Sequence, residues 1–452
     1  MRKLILLGLA QALLLLGGCG GGSGGIATSN NGGGGGGGNG PGNSVTMTVD
    51  SGPDPASGID ADTPFITVTV CAPGSTTNCQ TIDHIEVDTG SYGLRILSSV
   101  LNSSLASALQ PEQLGGNTIV ECTQFVDGFS WGPVKLADVK VASESAGSVP
   151  VQVIGDAAYE NEIPSACSST GSPENTVAAF GANGILGVGP FGDDCGPGCD
   201  IAVTSTNPTN PGWYYTCPSG GTSTTACSEA AVSESSQVTN PVVDFQTDNN
   251  GVVVTLPATA QGAATATGTL IFGIGTQSNN AVTTQTVLTA DANYGDVTTT
   301  YTTQDNKQEF LPFSYFDTGS NAYYFADDGI PSLSACSSQP GYSSSNPQSW
   351  FCPASDINLS ATNSGKNGLQ STVNFKIGNA YALFNTYQTG TVFTDLGASS
   401  GTESANCTSQ GTASSDTSCS FDFGFPFFLG KSVFIAIAGA STTAGTGPFF
   451  AY

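Results

Sequence analysis

The sequence contains the same four residues, Asp-Thr-Gly-Ser, twice, and this repeat limits the possible folds more than any other feature. The first copy, Asp88 to Ser91, follows the run Ile85-Glu86-Val87, and the second, Asp317 to Ser320, follows Tyr315-Phe316. Each carboxylate therefore lies at the end of a predicted strand, in a tight glycine turn. If the chain folds as two similar halves, Asp88 and Asp317 face each other. Two carboxyls that close cannot both ionise, so one keeps a proton and can act as an acid while the other acts as a base.

Charge and composition narrow the class of protein further. The 452 residues include 9 Lys and Arg against 35 Asp and Glu, a formal net charge of −26. A surface this acidic repels phosphate backbones, so we expect no nucleic-acid partner. Charged residues make up only 10%, and the abundant Gly, Ser, Thr and β-branched residues favour an all-β protein with many turns and few long helices.

The first nineteen residues are predicted to be a signal peptide. Arg2 and Lys3 precede an apolar run at 4–16, which is too short to span a bilayer. Leu16-Gly17-Gly18-Cys19 resembles a bacterial lipobox, which implies that Cys19 is acylated. The next residue, Gly20, is not the aspartate that retains such proteins at the inner membrane, so the resemblance implies an outer-membrane lipoprotein. An ordinary signal with a chance cysteine and a transmembrane helix are the alternatives.

Residues 20–44 are predicted to be a tether. They are almost entirely Gly with Ser and Asn, and they include seven consecutive glycines at 32–38. Such a segment is flexible and has a typical end-to-end distance of roughly 25–30 Å. We expect it to hold the folded body, which begins near Val45, just off a membrane.

The cysteines predict disulfides. Without Cys19, 12 of the 13 cysteines remain, an even number in an exported chain. Proximity in sequence favours four local pairs: Cys71–Cys79, Cys195–Cys199, Cys217–Cys227 and Cys407–Cys419. The pairing of Cys122, Cys167, Cys336 and Cys352 stays open. A zinc site is the competing interpretation, but the chain has a single His and no Cys-x-x-Cys pair.

Hydrophobic periodicity predicts the elements around the repeat. Strands are predicted at 65–70, 82–87, 134–141, 251–256, 269–274 and 373–377. Leucines at 97, 101, 105 and 109 recur every fourth residue and predict one amphipathic helix. Asp127-Gly128 lies between apolar runs and predicts a β-hairpin. Residues 193–240, with four cysteines and many Pro and Gly, predict a disulfide-pinned loop or insertion.

Each copy of the repeat is followed later by two apolar residues and a glycine. After Asp88 this motif is Ile185-Leu186-Gly187, and after Asp317 it is Phe428-Leu429-Gly430. Together with Leu270-Ile271-Phe272-Gly273 and the Asp127-Gly128 hairpin, these motifs resemble the pepsin-like aspartic peptidases over residues 45–452. The resemblance implies an all-β, bilobal double barrel with pseudo-twofold symmetry, a few short helices, and a cleft between lobes at 45–280 and 281–452.

The resemblance also implies roles for individual residues. Asp88 and Asp317 would form the catalytic dyad, Gly90 and Gly319 the turns beside it, and Thr89 and Thr318 a cross-brace between the loops. Ser91 and Ser320 would hydrogen-bond the carboxylates from outside. The hairpin with Phe125, Asp127 and Gly128 would be the flap over the cleft. Two positions depart from the family, Phe125 where a tyrosine is usual and Arg95 where a tryptophan is usual, and both bear on how substrate is clamped.

Two functions from different classes fit these residues. The first is an endopeptidase in which Asp88 and Asp317 activate a water to cleave peptide bonds, without a metal or other cofactor. The second is a non-catalytic envelope lipoprotein that uses the cleft to bind a peptide or glycan. The expected partners are a peptide or protein substrate and, through Cys19, a membrane, and we expect a monomer. A serine hydrolase is disfavoured, because the G-x-S-x-G at Gly128–Gly132 lies in a β-pattern and the one histidine, His84, lies upstream.

Overall fold

The computed structural model describes residues 42–452 except 57–59, 126–127, 203–209, 219–226, 303–307, 327–329, 331, 339–348, 402–406 and 408–418. The predicted lipidation site Cys19, the signal peptide, almost all of the tether and the flap residue Asp127 lie outside the described residues.

Strands dominate the described chain and the α-helices are short, which confirms the predicted all-β class. The α-helices are α1 (Ser103–Ala108), α2 (Ser165–Ser168), α3 (Val177–Phe180) and α4 (Ala380–Thr386). The strands are β1 (Ser44–Val49), β2 (Pro64–Cys71), β3 (Cys79–Asp88), β4 (Tyr92–Leu97), β5 (Gln110–Pro111), β6 (Gln113–Leu114), β7 (Asn117–Gln124), β8 (Gly128–Val141), β9 (Glu144–Ile154), β10 (Ser172–Pro173), β11 (Gly184–Val188), β12 (Tyr214–Cys217), β13 (Ser228–Glu229), β14 (Gly251–Thr255), β15 (Ala266–Phe272), β16 (Val287–Thr289), β17 (Val297–Thr302), β18 (Gln308–Phe316), β19 (Tyr323–Phe325), β20 (Ile357–Ser364), β21 (Gln370–Ile377), β22 (Gly397–Ser399), β23 (Asp422–Phe423), β24 (Ser432–Ala436), β25 (Ser441–Thr442), β26 (Gly445–Thr446) and β27 (Phe449–Ala451).

The strand that leads to Asp88 has a hydrogen-bonded neighbour on each side. β3 pairs antiparallel with β2, and β11 pairs with β3 in parallel, which places Gly187 opposite Asp88. β11 also pairs antiparallel with β4, the strand directly after the Asp-Thr-Gly-Ser turn. Val87 and Leu186 are fully buried in the core. The apolar runs on both sides of the first turn are therefore packed, and they fix the direction in which Asp88 leaves its strand.

The second half repeats this arrangement, but its motif Phe428-Leu429-Gly430 does not lie beside the strand that leads to Asp317. β18 leads to Asp317 and pairs in parallel with β23, with Phe316 opposite Phe423. The match of Phe428-Leu429-Gly430 to Ile185-Leu186-Gly187 does not hold in the structure, because Phe428 ends a 3-10 helix at Phe425–Phe428 and the chain then enters β24. Aromatic packing gives the physical reason: the Phe423 ring stacks on the Phe316 ring, with centroids 5.2 Å apart.

Strands from the middle and from the end of the chain join the two halves. β14 pairs with β15 and with β24, and β24 pairs with β27. The last strands therefore complete a sheet that the first half begins. A separate sheet, in the order β21-β20-β17-β18-β23-β19-β22, carries Asp317. The lobe boundary at 280/281 stays a prediction, and β16, just after it, pairs with β27 in the shared sheet.

The predicted leucine helix is confirmed only at its centre, and its predicted extent is wrong. Leu97 lies in β4, residues 98–100 form a 3-10 turn, and only α1 is α-helical, with Leu105 as its one buried residue. The Asn102 side chain accepts a hydrogen bond from the Leu105 N–H and so caps a new start, one turn later than the pattern suggests. After Leu109 the chain leaves the helix to pair β5 with β8. Strand pairing on both sides thus overrides the helical spacing.

The described residues contain six disulfides. All four local pairs are confirmed, and the four open cysteines form Cys122–Cys167 and Cys336–Cys352. All twelve described cysteines are thus disulfide-bonded, which removes the zinc interpretation for them. Six disulfides are typical of a protein that folds outside the reducing cytosol. No helix in the described ranges is long and apolar enough to cross a membrane.

Candidate active site

The carboxyl groups of Asp88 and Asp317 lie together at the ends of β3 and β18. The Gly90 N–H donates to Asp88 Oδ1 at 2.7 Å and also contacts Asp317 Oδ1 at 3.2 Å. One N–H reaches both side chains, so the two oxygens lie within two hydrogen-bond lengths of each other. In the second half, the Gly319 N–H donates to Asp317 Oδ1 at 2.8 Å. The structure therefore brings together the two acids that the repeat singled out.

The threonines of the two repeats form a reciprocal cross-brace. The Thr318 N–H donates to Thr89 Oγ1 at 3.0 Å, and the Thr89 N–H donates to Thr318 Oγ1 at 3.1 Å. Each hydroxyl in turn donates to a carbonyl of the opposite strand, Thr89 to Phe316 at 2.8 Å and Thr318 to Val87 at 2.7 Å. All these groups are buried, where hydrogen bonds fix geometry strongly. The brace holds the two strand ends at a set distance.

Glycine follows each threonine because the opposite carboxyl occupies the space of a side chain. A Cβ atom on Gly90 would lie 2.4 Å from Asp317 Oδ2, and one on Gly319 would lie 2.7 Å from Asp88 Cγ. Both distances are shorter than real Cβ contacts, and the neighbouring atoms are held by hydrogen bonds. The Gly of each repeat is therefore required by the approach of the two carboxyls.

The serines of the two repeats are not equivalent. The Ser320 hydroxyl lies 3.1 Å from Asp317 Oδ2 and 2.6 Å from Oδ2 of a third buried acid, Asp422 on β23. Ser91 is buried too, but its Oγ has no hydrogen-bond partner among the described residues. The expectation that Ser91 bonds its carboxylate is therefore wrong here. The same position on β11 is Ile185, so the first half has no counterpart of Asp422 for its serine to contact.

Asp317 is the carboxyl that the site favours in its protonated form. Burial raises the pKa of Asp317 well above its usual value, and the charges of Asp88 and Asp422 and a hydrogen-bond contact with Asp88 raise it further. The Gly319 N–H acts in the opposite direction but does not outweigh them. The arrangement can therefore hold a proton on one acid beside an ionisable partner, which general acid-base chemistry requires.

The predicted flap is present as a hairpin, although its tip is not described. β7 and β8 pair antiparallel, with Gln124 opposite Phe129, and the Phe125 N–H donates to the Gly128 carbonyl at 2.8 Å. The hairpin is braced on both edges, because β12 pairs with β7 and β10 pairs with β8. The loop at 193–240 thus adds a strand to the flap sheet. Ser130 of the G-x-S-x-G is buried in β8 and contacts Gln152, not a histidine.

Phe125 does not stand over an open cleft. It is 5% exposed and packs against the edge of Phe180, with ring centroids 6.0 Å apart. The surrounding cluster is apolar and includes Phe65, Leu97 and Ile185. The side chain therefore anchors the base of the hairpin to the first half. A role for Phe125, Asp127 and Gly128 in covering substrate stays a prediction.

Arg95 lies at the centre of a buried ionic network beneath the hairpin. Its Nη2 contacts Glu121 Oε1 at 2.6 Å and Asp194 Oδ2 at 2.9 Å, its Nε donates to Thr123 Oγ1 at 2.9 Å, and its Nη1 donates to the Tyr92 carbonyl at 2.7 Å. The three ionic side chains are fully buried. Arg95 thus ties β4, the strand after the first Asp-Thr-Gly-Ser turn, to the hairpin strand β7.

One proton balances this network. Burial would raise the pKa of Glu121, but Arg95 and hydrogen bonds bring it below its usual value. Burial raises the pKa of Asp194 well above its usual value, and the charge of Glu121 adds to this. These directions favour a guanidinium beside an ionised Glu121, with the proton on Asp194, an arrangement that carries no net charge.

Residues 40–452 match one family model, and this match shows to which family the chain belongs. The chain belongs to the family DUF3443. That family is described as a protein of unknown function. Among solved structures, the chain is similar to an aspartic proteinase from Irpex lacteus, at 15% identity and a TM-score of 0.47, over 88% of this chain and 97% of that one. No curated protein matches it.

Two features of this DUF3443 member escaped prediction from sequence. Asp422 belongs to the pattern Phe-Asp-Phe-Gly and takes the position that Ile185 has in the first half. A search for two apolar residues followed by a glycine therefore does not find it. Glu121 and Asp194 belong to unrelated parts of the sequence and meet only through Arg95. The sequence did contain a signal for this ionic network. Arg95 stands where the resembled family has tryptophan, and a buried cation needs buried anions.

Proposed function

We propose that this protein is an aspartic-type endopeptidase with Asp88 and Asp317 as its catalytic residues. The observation that supports the proposal is the single Gly90 N–H that reaches both carboxyls, from opposite halves of the chain. The threonine brace holds them at a distance that a bound water can bridge. No metal or organic cofactor takes part in this scheme. The lipid on Cys19 and the glycine-rich segment would tether the enzyme to the outer membrane of the cell envelope.

Each acid has a distinct role in this mechanism. Asp317, whose pKa is raised by burial and by its acidic neighbours, keeps its proton and donates it to the carbonyl oxygen of the scissile bond. Asp88 accepts a proton from the water as the water attacks the carbonyl carbon. The tetrahedral intermediate then collapses, and the departing amine takes a proton from the site. Activity should peak on the acidic side, where the pair holds one proton, and fall as that proton is lost.

The test is digestion of a peptide library by the protein at several pH values, with cleavage products identified by mass spectrometry. Asp88→Asn and Asp317→Asn should each abolish cleavage, and a statine-type transition-state mimic should inhibit the unchanged protein. Asp83→Asn is the matched control, because the Asp83 side chain is 70% exposed. It lies five residues before Asp88 on β3, roughly 16 Å away along an extended strand. Cleavage that persists in either dyad variant would refute the assignment.

A non-catalytic binding protein is the second candidate, and one observation favours it. Asp88 and Asp317 are 1% and 0% exposed, so in this structure the two acids present almost no surface to a substrate. In that case the library would yield no products at any pH, while a peptide or glycan would still bind to the unchanged protein and to Asp88→Asn alike. Equal binding without cleavage would replace the peptidase proposal with this one.

A further inference from the structure

A cavity of about 700 Å³ lies against the hairpin of β20 and β21, and neither Asp88 nor Asp317 lines it. Three exposed side chains of the hairpin line it, Asn358, Ser360 and Asn374, so the cavity opens to solvent. Its other walls come from the segment after β14 and from the chain that leads into β24. Sites for small organic ligands typically have volumes of roughly 300–1,000 Å³, so this cavity has the size of a binding site.

Lys431 brings to this cavity a positive charge that no carboxylate balances. It follows the 3-10 helix at Phe425–Phe428, and its Nζ donates to the Phe427 carbonyl at 2.5 Å and lies 4.6 Å from the centroid of the Phe427 ring. Neither contact is an anion, and no ion pair joins Lys431 to a carboxylate of the described residues. In the same part of the chain, ion pairs to carboxylates hold Arg95, Lys135, Lys366 and Lys376. An ammonium has three N–H donors and the carbonyl takes one, so two remain for a ligand.

A purely structural role for Lys431 does not account for its burial. Lysines commonly bond the last carbonyls of a helix, but they keep the charged head in water as they do so. Lys431 is partly withdrawn from water, and burial lowers its pKa. A cation that loses water without gaining an anion destabilises a fold, and the chain has 35 acidic residues that could have supplied one. The missing anion therefore points to a ligand that brings it.

The acid in the wall of the cavity is already neutralised. Asp395 Oδ2 contacts Lys376 Nζ at 2.7 Å, and Asp395 Oδ1 accepts a hydrogen bond from the Thr394 hydroxyl at 2.8 Å. Lys376 also contacts Asp356, but that side chain is 58% exposed, so water and salt screen its charge. An anion beside Lys431 therefore meets no bare carboxylate in the wall.

The uncharged part of the lining indicates a sugar. Asn358, Ser360 and Asn374 have side chains that both donate and accept hydrogen bonds, as sugar hydroxyls do. Tyr323 and Phe375, 3% and 8% exposed, add an aromatic wall. Amides and hydroxyls on side chains suit the dispersed hydroxyls of a saccharide, whereas a peptide pairs its regular backbone groups with the backbone of a strand edge. Since a benzene ring fills a cavity of about 150 Å³, this cavity has room for more than one sugar ring.

We infer that this cavity binds an acidic saccharide, with Lys431 as the counter-ion of a sugar carboxylate and with Asn358, Ser360 and Asn374 on the sugar hydroxyls. The ligand class is a sugar chain that carries uronate groups. Because neither of the paired acids lines the cavity, the inference does not depend on the proposed peptidase function.

The test is calorimetric titration of the protein with two sugars that differ in charge, a trimer of α-1,4-linked galacturonate and the corresponding neutral galactose trimer. The titrations use mildly acidic pH, where a lysine of lowered pKa stays charged, and constant ionic strength. The galacturonate trimer should bind with a Kd about tenfold or more below that of the neutral trimer, as expected for a charge pair withdrawn from water. Equal affinities, or no binding of either sugar, would overturn the inference.

Lys431→Met separates the cavity from the charge of the whole protein. Methionine keeps the side-chain stem but removes the charge, so the galacturonate trimer should bind this variant only as well as the neutral trimer does. Lys140→Met is the matched control, because Lys140 lies on β8, does not line the cavity and also forms no ion pair with a described carboxylate. It should leave both affinities unchanged. An equal loss in both variants would assign the effect to net charge and refute the site.

A second variant keeps the inference testable if Lys431→Met does not fold. Asn374 is exposed, so Asn374→Ala removes polar side-chain atoms without disturbing the core. It should weaken binding of both trimers, and unchanged affinities would refute the polar wall. A peptide of three glutamates tests the ligand class. Binding of this peptide as tight as that of the galacturonate trimer, and lost in Lys431→Met, would replace the saccharide with an acidic peptide.

Discussion

Arg95→Met should destabilise the fold strongly at neutral pH. Methionine keeps the length of the side chain but removes the charge and all of its donors. Glu121 then remains fully buried without its cation, and Asp194 and Thr123 lose a donor. Removal of one partner from a buried ion pair typically costs about 3–5 kcal/mol, because the remaining charge stays buried. Loss of the bond to the Tyr92 carbonyl adds to this in β4, the strand that follows the first Asp-Thr-Gly-Ser turn.

The same reasoning fixes how the cost changes with pH. In the variant, Glu121 lacks the guanidinium that lowers its pKa, so burial now favours its neutral form. Protonation of Glu121 removes the buried charge and with it most of the destabilisation. The free energy of this protonation changes by about 1.4 kcal/mol per pH unit. The destabilisation should therefore be small near pH 4 and large near pH 7. Arg95→Met combined with Glu121→Gln should recover part of the loss at neutral pH, since no charge is then left buried.

Urea unfolding, followed by tryptophan fluorescence, measures these free energies, and Trp131 in the flap strand β8 is a buried reporter. Lys376→Met is the matched control, because it removes a cation from contacts with Asp356 and Asp395 but is 39% exposed. Exposed pairs contribute about 0–1 kcal/mol, so this control should shift the midpoint little. If Arg95→Met unfolds within about 1 kcal/mol of the unchanged protein at pH 7, or costs the same at both pH values, the network does not stabilise the fold in the way described.

Two further predictions concern pH and the membrane. Burial raises the pKa values of Asp62, Asp194 and Asp317 well above the usual value for aspartate, and it raises the pKa of Asp193 to about 6. At these groups the folded state therefore binds protons more tightly than the unfolded state. This contribution to stability is fully present below the unfolded pKa of about 4 and is lost as pH rises through the pKa values of the folded state. The midpoint of urea unfolding should therefore fall between pH 4 and 7. A midpoint that rises over this range would contradict the assignment. Cys19→Ser should move the protein from the membrane fraction to the soluble fraction without changing its unfolding midpoint, and a variant that still sediments with membranes would exclude the lipid anchor.

The sequence was informative where a residue's role depends on its own strand and turn. Asp88 and Asp317 could be paired because each follows an apolar strand and precedes a glycine that tolerates close approach. The disulfides between near neighbours could be predicted for the same reason, as Cys71 and Cys79 end the two strands of one hairpin. Cys122–Cys167 could not, since the pair joins β7 to α2 across 45 residues and depends on how the flap sheet packs.

Prediction failed where tertiary contacts choose among similar local patterns. Phe428-Leu429-Gly430 is more similar to Ile185-Leu186-Gly187 than Asp422-Phe423-Gly424 is, yet β23, which contains Asp422 and Phe423, is the strand beside β18. The choice is made by rings that the sequence cannot place: Phe421 and Phe423 stack with centroids 4.0 Å apart, and Phe423 stacks in turn on Phe316. The leucine spacing misled in the same way, because Leu97 is fixed by pairing of β4 with β9 and with β11.

Proton counting links the stability of this protein to its proposed chemistry. The Ser320 hydroxyl has one hydrogen but touches two carboxyls, so it donates to one and must accept a proton from the other. Either Asp317 or Asp422 is therefore protonated whenever both contacts are made. Asp194 needs a proton for the network around Arg95 to be neutral, and that network joins the hairpin strand β7 to β4, which follows the first Asp-Thr-Gly-Ser turn. Burial and its acidic neighbours raise the pKa of Asp317. When Asp317 is the member that holds the proton, the proton that the Ser320 contacts need is also the one that the proposed mechanism needs in the dyad, and acidic pH favours that state.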